Sequence, residues 1–415
     1  MNPFTQLLKK ELVCALGCTE PIAIALASAK ARKVLGCYPS ETIIRCSGNI
    51  IKNVKGVTVP NTDGLKGVEA ATAIGLIAGD ASKNLEVLSK VNDKDIEKAK
   101  EILKAKKIKV ELKEGAENLD IEIWLKDHQG NDCLVEIQNK HSNFFRIMKN
   151  GQFLYQGKLV EDKQDQCLEE LSIHSIVQYA KTVPFEEVQE MIDKQIALNQ
   201  EISKEGLKGN WGVEVGKLLL NEGEGLRAKV KAYAAAGSDA RMSGCPLPVV
   251  INAGSGNQGI TCSLPVIIYA EEKNKSHELL VRSLLISNLV ALHIKRYIGR
   301  LSAFCGVTSA GVAAGAALAF LESQDEQLVS DTISNSLMIV SGMVCDGAKP
   351  SCAAKIASAV DAGYTGFQMA LRQKNFKVGE GLMKENVEQT IQAIGHLGKV
   401  GMKQTDLEIL KMMLE

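Results

Sequence analysis

Three cysteines in the last third of the chain are the residues best suited to chemistry. Cys305, Cys345 and Cys352 each lie beside glycine or proline at the end of a predicted helix. Helix N-termini present unpaired N–H groups and a partial positive charge, and both favour the thiolate form that binds metal. The spacing is not that of a zinc ribbon, which has two short Cys-x2-Cys pairs. From the residues alone, a metal site and simple core packing both remain open.

A metal site with three cysteine ligands would suit an elimination reaction. A four-iron cluster that is held by three thiolates keeps one iron open, much as catalytic zinc keeps a free position. An open iron is a Lewis acid, so it can bind a carboxylate and a leaving hydroxyl or thiol without any redox step.

Cys18 is a fourth candidate, as a base or as a nucleophile. It directly precedes Thr19-Glu20-Pro21, a string that predicts the start of a helix with Thr19 as the N-cap. The positive end of that helix would lower the pKa of the Cys18 thiol. The alternative is that Cys18 packs on the helix as part of a hydrophobic staple.

Two polar regions that contain glycine could bind the polar groups of a small substrate. Loops of this composition expose N–H groups and amides that hold carboxylates, although ordinary solvated loops share the composition. Residues 237–263 are predicted to be irregular, and their GSGNQG string is not a dinucleotide motif because Pro265 falls where a helix should run. The lone histidines receive no role. The candidate substrate contacts are Ser47, Asn49, Lys52, Asn61, Asn252, Ser255, Asn257 and Gln258.

The composition is that of an ordinary globular protein, and it excludes several function classes. The 415 residues carry 49 basic and 49 acidic side chains, so the chain lacks the positive charge of a nucleic-acid-binding protein. Its few aromatic residues (2 Trp, 7 Tyr and 9 Phe) argue further against nucleic-acid binding. The 11 cysteines are an odd number, and Lys9, Lys10 and Glu11 interrupt any apolar leader, so we expect free thiols in the cytoplasm. Residues 302–321 are uncharged but small, and we predict a core helix with no membrane association.

The pattern along the chain predicts an α+β fold in three segments. Residues 1–36 are predicted to be an N-terminal helical segment that packs on the catalytic domain. Residues 37–165 are predicted to be a smaller α+β domain, because alternating apolar residues and an Asn-Gly turn at 150–151 are typical of an antiparallel sheet. Residues 166–415 are predicted to be a mainly helical catalytic domain.

Short motifs distributed along the chain form a recognisable set. They are GCTEP at 17–21, SGN at 47–49, SDARM at 238–242, GSGNQG at 254–259 and CDGAKPSC at 345–352. Together they resemble the L-cysteine desulfidase family, within the wider superfamily of iron–sulfur L-serine dehydratases. The resemblance covers nearly the whole chain, and the two longest strings are the most specific.

This resemblance implies a 4Fe–4S cluster bound by Cys305, Cys345 and Cys352, with no pyridoxal phosphate. It also implies Cys18 as the catalytic cysteine and a β-elimination that converts L-cysteine to pyruvate, ammonia and sulfide. The expected partner is therefore a small amino acid, with no nucleic acid and no membrane, and the close-packing Ala/Gly-rich helices suggest a homodimer.

Three alternatives to this function stay open. The substrate could be L-serine or another β-substituted amino acid. The protein could instead be a non-enzymatic, cluster-based sensor of cysteine or oxygen. Finally, it could be a structural or binding protein whose cysteines are merely packed in the core.

Overall fold

A six-stranded sheet and a larger set of helices form the protein, which confirms the predicted α+β class. The computed structural model describes residues 2–157, 166–299 and 302–414. The predicted boundary between the second and third segments adjoins residues 158–165, which lie outside the described residues.

The regular elements follow one another along the chain with mostly short connections. The strands are β1 (Cys14–Leu16), β2 (Glu41–Cys46), β3 (Ile108–Leu112), β4 (Asp120–Lys126), β5 (Asp132–Gln138), β6 (Phe144–Lys149), β7 (Gln152–Gln156) and β8 (Pro248–Val250). The helices are α1 (Pro3–Glu11), α2 (Thr19–Leu35), α3 (Gly48–Val54), α4 (Val68–Ala78), α5 (Asp93–Lys104), α6 (Gln166–Glu169), α7 (Ile173–Thr182), α8 (Gln189–Lys208), α9 (Val215–Glu222), α10 (Gly225–Met242), α11 (Gly256–Glu272), α12 (His277–Ile298), α13 (Gly306–Ser323), α14 (Glu326–Ile339), α15 (Cys352–Leu371), α16 (Val387–His396) and α17 (Lys403–Leu414).

The larger sheet has the strand order β3-β2-β4-β5-β6-β7. Its neighbouring strands are antiparallel, as predicted, except that β2 and β3 pair in parallel. The crossover between β2 and β3 contains α4 and α5, and such a long connection permits parallel pairing. The predicted turn joins β6 to β7 at Asn150 and Gly151, which both have the positive φ that a tight hairpin turn requires.

Helix α2 connects the sheet to the rest of the protein. It is buried on nearly all sides and packs against β4, β5 and α4. Gly75 of α4 lies so close to α2 that a Cβ atom there would be 2.6 Å from the carbonyl oxygen of Ala25. This close contact fixes the N-terminal end of α2, where Cys18 lies.

The segment 1–36 is not entirely helical, so that part of the prediction is wrong. Residues Cys14–Leu16 form β1, which pairs antiparallel with β8 from the other half of the chain. A strand of three residues is too short to show an alternating pattern in the sequence. Its pairing places the start of α2 beside the loop that follows β8.

Residues 237–263 are mostly regular, so the prediction of an irregular region is also wrong. Helix α10 continues to Met242, β8 follows, and α11 begins at Gly256 and runs through Pro265. A proline removes one helical hydrogen bond, but α11 is buried from Gly256 to Ala270, and packing outweighs that loss. The strand before α11 pairs only with β1 among the described residues, so no parallel strand–helix–strand unit surrounds GSGNQG.

Small residues let the C-terminal helices pack closely. A Cβ atom on Gly315 of α13 would lie 2.5 Å from the carbonyl oxygen of Gly363 in α15. Helices α12 and α13 are long and apolar enough to cross a membrane by length and composition, yet 78% and 83% of their apolar stretches are buried inside the protein. Such burial is typical of core helices, and it agrees with the prediction for residues 302–321.

Candidate active site

A cavity of about 1030 Å³ lies between the sheet side of the molecule and the C-terminal helices. Cys305, Cys345 and Cys352 all line it, and so does Cys18 from the opposite end of the chain. The three cysteines of the last third therefore converge on one space, together with the fourth thiol that the sequence singles out.

A short backbone pairing brings Cys305 and Cys345 together. Phe304 and Val344 form an isolated antiparallel bridge. On either side of this bridge, the Cys305 N–H donates to Met343 O at 2.9 Å and the Cys345 N–H donates to Ala303 O at 2.7 Å. Two loops that are far apart in sequence are thus held at a fixed register, which places both thiols on the same cavity wall.

Cys352 is positioned by the loop that joins it to Cys345. Gly347 in this loop has a φ of 95° and lies directly against the backbone of Lys52, so a side chain there would collide with α3. Asp346 forms ion pairs with Lys349 and Lys355, which tie the loop to the first turn of α15. Cys352 begins that helix.

The three thiols differ in acidity. A hydrogen bond from Cys305 lowers the pKa of Cys345 to about 6, with the charge of Lys52 and the Gly347 N–H acting in the same direction. The same hydrogen bond, together with burial, raises the pKa of Cys305, and burial raises the pKa of Cys352. The expectation that helix N-termini would favour thiolate is therefore wrong, because Cys305 and Cys352 at the starts of α13 and α15 have raised pKa values and the lowered pKa of Cys345 comes from Cys305 and Lys52.

Cys305, Cys345 and Cys352 bring sulfur donors to the cavity. Among the residues that the structure describes, no group of three or more His, Cys, Asp or Glu side chains is arranged to hold a metal ion. Three thiols on one cavity wall are soft ligands of the type that iron–sulfur clusters use.

Cys18 lies at the start of α2 beside a buried carboxylate. Its thiol donates a hydrogen bond to Glu20 Oε2 at 3.1 Å. The other oxygen of Glu20 accepts from Asn53 Nδ2 at 3.2 Å and lies 3.8 Å from His141 Nε2. Thr19, predicted to be the N-cap, is the first helical residue instead, and Cys18 occupies the N-cap position. The Thr19 hydroxyl donates to Gly254 O at 3.0 Å, which joins α2 to the GSGNQG loop.

The predicted lowering of the Cys18 pKa is wrong. Burial raises the pKa of Cys18 well above its ordinary value, and the adjacent carboxylate of Glu20 raises it further. Burial would also raise the pKa of Glu20, but His141 and the hydrogen bond from Cys18 outweigh it and hold the value at about 2. At neutral pH the proton of this pair is therefore on sulfur and the charge is on the carboxylate.

The predicted substrate contacts divide into two groups. Asn49, Lys52, Ser255, Asn257 and Gln258 line the cavity, and Lys52 is also paired with Asp406 of α17. The remaining three do not line it. Ser47 donates to Asn118 O, Asn61 donates to Leu88 O, and Asn252 donates to the backbone and side-chain oxygens of Asn288.

Several cavity residues carry no predicted role. His141 lies beside Glu20, and no local spacing predicts this pairing, because the two residues approach only through the fold. Asn53 and Arg241 also line the cavity. For Arg241 a signal was available, since a cation in the last turn of the alanine-rich α10 falls inside the SDARM motif.

The cavity has features of a binding site for a polar, anionic ligand. Seven Lys or Arg residues line it but only three Glu. Asn53 Oδ1, His141 Nε2, Arg241 Nε and Gln258 Oε1 are buried there without a hydrogen-bond partner. Buried polar atoms are normally paired, so these atoms leave hydrogen-bonding capacity that a ligand could use.

Comparison with known proteins gives the family. Residues 82–411 match the family model of the serine dehydratase alpha chain, a range that contains the three cysteines of the last third but begins after Cys18. The UPF0597 protein of Finegoldia magna is 59% identical over 100% of both chains. The UPF0597 proteins of Desulfitobacterium hafniense and Lachnoclostridium phytofermentans are 50% and 48% identical, over 99% and 98% of this chain and 96% and 98% of theirs. The chain therefore belongs to the serine dehydratase alpha chain family, an iron–sulfur-dependent family of lyase type.

Proposed function

We propose that the protein catalyses the pyridoxal-phosphate-independent β-elimination of L-cysteine. The products are pyruvate, ammonia and hydrogen sulfide, with one water consumed when the aminoacrylate intermediate hydrolyses. One observation carries the proposal: the Cys18 thiol lines the same cavity as the three other cysteines and donates to a buried carboxylate. A buried thiol that donates to a charged acceptor is suited to proton transfer. Simple packing of Cys18 in the core does not account for this hydrogen bond.

Cys305, Cys345 and Cys352 would hold a 4Fe–4S cluster on the wall of the cavity. Bound there, the cluster supplies a Lewis acid for the departing sulfur. The protein supplies the position of that group, since the bridge between Phe304 and Val344 and the loop 345–352 fix the ligands before substrate arrives. The excess of Lys and Arg around the cavity favours both an anionic cluster and a substrate carboxylate.

Cys18 and Glu20 would remove the α-proton of the substrate as a relay. The sulfur accepts the α-proton while its own proton passes to Glu20 Oε2, so no free thiolate forms. In the substrate-free protein the proton is on Cys18 and the charge is on Glu20, because burial and Glu20 raise the pKa of Cys18 while Glu20 stays ionised down to about pH 2, so the relay starts from a thiol and a carboxylate. The proton on Glu20 then passes to the departing sulfide, which restores the carboxylate. Proton transfer of this kind accounts for about 10²–10⁴-fold of the rate.

The decisive test is a substrate panel on protein reconstituted anaerobically with iron and sulfide. L-Cysteine, L-serine and both D enantiomers are compared by the release of sulfide and pyruvate. Sulfide and pyruvate in equal amounts from L-cysteine, at a kcat/KM above that of serine, support the proposal. A cluster that forms without any turnover would favour a sensor, and protein that stays colourless would contradict the cluster itself.

L-Serine is the second candidate substrate. The match to the serine dehydratase alpha chain model favours it, because that family is described by the substrate serine. A dehydratase would lose water instead of hydrogen sulfide and would use the same α-proton relay. Pyruvate release from L-serine, with none from L-cysteine, would establish this alternative in the same panel.

A further inference from the structure

We propose that Arg241 binds the α-carboxylate of the substrate, so that the site takes amino acids with a free carboxylate. This inference rests on the proposed function for the reaction, but it concerns recognition and is tested separately. Arg241 lies in the last turn of α10 and lines the cavity.

Arg241 is a buried cation without an acidic partner. Its side chain is 2% exposed, and no carboxylate among the residues that the structure describes lies within ion-pair distance of it. Its Nη1 donates to Asn257 Oδ1 at 3.0 Å, while Nε is buried and has no partner. A guanidinium that is removed from water without an anion is costly, so a ligand that supplies the anion is expected.

The neighbouring loop is built to accommodate this guanidinium. A Cβ atom on Gly256 would collide with Arg241 Nε, so any residue larger than glycine would displace it. Asn257, the next residue, accepts from Nη1 and also approaches Met242 Sδ at 3.5 Å with its own amide. The GSGNQG loop thus fixes one edge of the guanidinium and leaves the Nε edge without a protein partner.

The position of Arg241 agrees with the proton relay. Met242, the next residue, packs in one small apolar cluster with Cys18, and Cys352 packs against that cluster. Burial and Glu20 raise the pKa of Cys18, and the charge of Arg241 opposes them, as expected for close neighbours. A carboxylate on Arg241 would therefore place the attached α-carbon near Cys18, with the β-substituent free to point toward the cysteine ligands.

Other cations around the cavity are less suited to this role. Lys52 is already paired with Asp406, and Lys399 is exposed. Arg296 also has a buried Nε without a partner among the described residues, but its Nη2 already donates to Leu171 O and to the Tyr297 hydroxyl. The planar guanidinium of Arg241 can instead accept a carboxylate through two parallel hydrogen bonds, a geometry that a lysine cannot reproduce.

The test compares Arg241→Lys and Arg241→Met with the wild-type holoenzyme. Arg227→Gln is the matched control, because Arg227 lies on the same helix but is exposed and paired with Asp361. The ligands are L-cysteine, L-serine, and two probes that lack a free carboxylate, cysteamine and L-cysteinamide. The readouts are KM and kcat, the shift in melting temperature on adding ligand, and the absorbance of the cluster.

We expect Arg241→Lys to raise KM on the order of 10²-fold while the cluster absorbance stays unchanged, and Arg227→Gln to behave as wild type. L-Cysteine and L-serine should raise the melting temperature of the wild type, and the carboxylate-free probes should not. Arg241→Met should lose this shift. Without ligand, Arg241→Met should melt no lower than the wild type, because it removes an unpaired buried charge.

An unchanged KM in Arg241→Lys, or stabilisation of the wild type by cysteamine as strong as by L-cysteine, would overturn the inference and leave the proposed function intact. Conversely, a wild type that binds L-amino acids through Arg241 without releasing sulfide would uphold the inference while the proposed function fails. Gly256→Ala gives a second route if Arg241→Met does not fold, since the added methyl displaces the guanidinium. It should raise KM as Arg241→Lys does, and an unaltered KM would count against the inference.

Discussion

Two clusters of buried polar residues in this protein are built on opposite plans. The first lies on the sheet, where Lys113 contacts Asp120, Glu122 and Glu136. Arg146 pairs with Glu136 at 2.9 Å and with Glu122 at 3.1 Å. Each charged group of this sheet cluster has a partner of opposite sign. The second cluster lines the cavity, where, among the described residues, Arg241 has no acidic partner and several polar atoms have no hydrogen bond.

The difference separates a structural role from a functional one. Paired charges on the sheet stabilise the fold only if the set is complete, so they leave nothing for a ligand to satisfy. The unpaired groups of the cavity are costly to the fold, and they leave hydrogen-bonding capacity for a ligand.

The largest effect is expected from the cluster cysteines. Changing Cys305, Cys345 or Cys352 to Ala should abolish both the cluster absorbance and the lyase activity, because each change removes one of three ligands. The measurement is the visible absorbance of the cluster after anaerobic reconstitution. Cys262→Ala is the control, since Cys262 is buried in α11 but does not line the cavity. Retained colour in the three variants would refute the assignment.

Next come the relay residues. Cys18→Ser and Glu20→Gln should each lower kcat by about 10²–10⁴-fold and leave the cluster absorbance unchanged, because neither residue is a ligand. Glu69→Gln, which alters an exposed carboxylate in the first turn of α4, should match the wild type. Full activity in Cys18→Ser would remove Cys18 from the mechanism, and full activity in Glu20→Gln would remove its acceptor.

On the sheet, the same kind of change should affect stability and not chemistry. Lys113→Met would leave the buried carboxylate of Asp120 without a cation and should lower the free energy of unfolding by about 2–3 kcal/mol at pH 7, a figure already discounted for the partial exposure of Lys113. Burial already raises the pKa of Asp120, and losing Lys113 would raise it further, so the penalty should shrink as the pH falls toward 5. Urea unfolding at pH 7 and at pH 5 measures this loss in the free energy of unfolding. Lys100→Met, on an exposed pair with Glu97, should change little.

The smallest effect concerns a buried carboxylate outside the cavity. Burial raises the pKa of Asp239 to about 6, and its Oδ1 has no partner. The folded protein therefore keeps a proton there that the unfolded chain loses near pH 4, and stability falls as the pH rises from 4 to above 6. Asp239→Asn should raise the free energy of unfolding by about 1–2 kcal/mol at pH 8 and by little at pH 4. A loss of stability at pH 8 would contradict this account.

The sequence predicts the parts of this protein whose signals are local. The hairpin at Asn150-Gly151 and the helix ends beside the cysteines both follow from neighbouring residues. Pro265 was misleading because the burial of α11, a tertiary property, outweighs the missing hydrogen bond. The strand pairing of Cys14–Leu16 with β8 joins segments more than 200 residues apart, and no local pattern predicts it.

The candidate site divides in the same way. The motifs single out four cysteines as candidates, and all four line the cavity: Cys18, Cys305, Cys345 and Cys352. The acidity of Cys18 depends on Glu20 folding back onto the thiol and on complete burial, neither of which its position before a helix reveals. Asn252 and Asn257 look equivalent in the sequence, but α11 begins between them. Asn252 therefore donates to Asn288 of α12, whereas Asn257 lines the cavity.

The bridge between Phe304 and Val344 has a consequence for how the protein acquires its cofactor. Main-chain hydrogen bonds set the separation of Cys305 and Cys345, so the two proposed ligands would be held together before a cluster binds. Side-chain changes at Val344 should leave metallation intact. Inserting one residue between Val344 and Cys345 should shift the register, separate the ligands and prevent assembly of the cluster while the helices still fold.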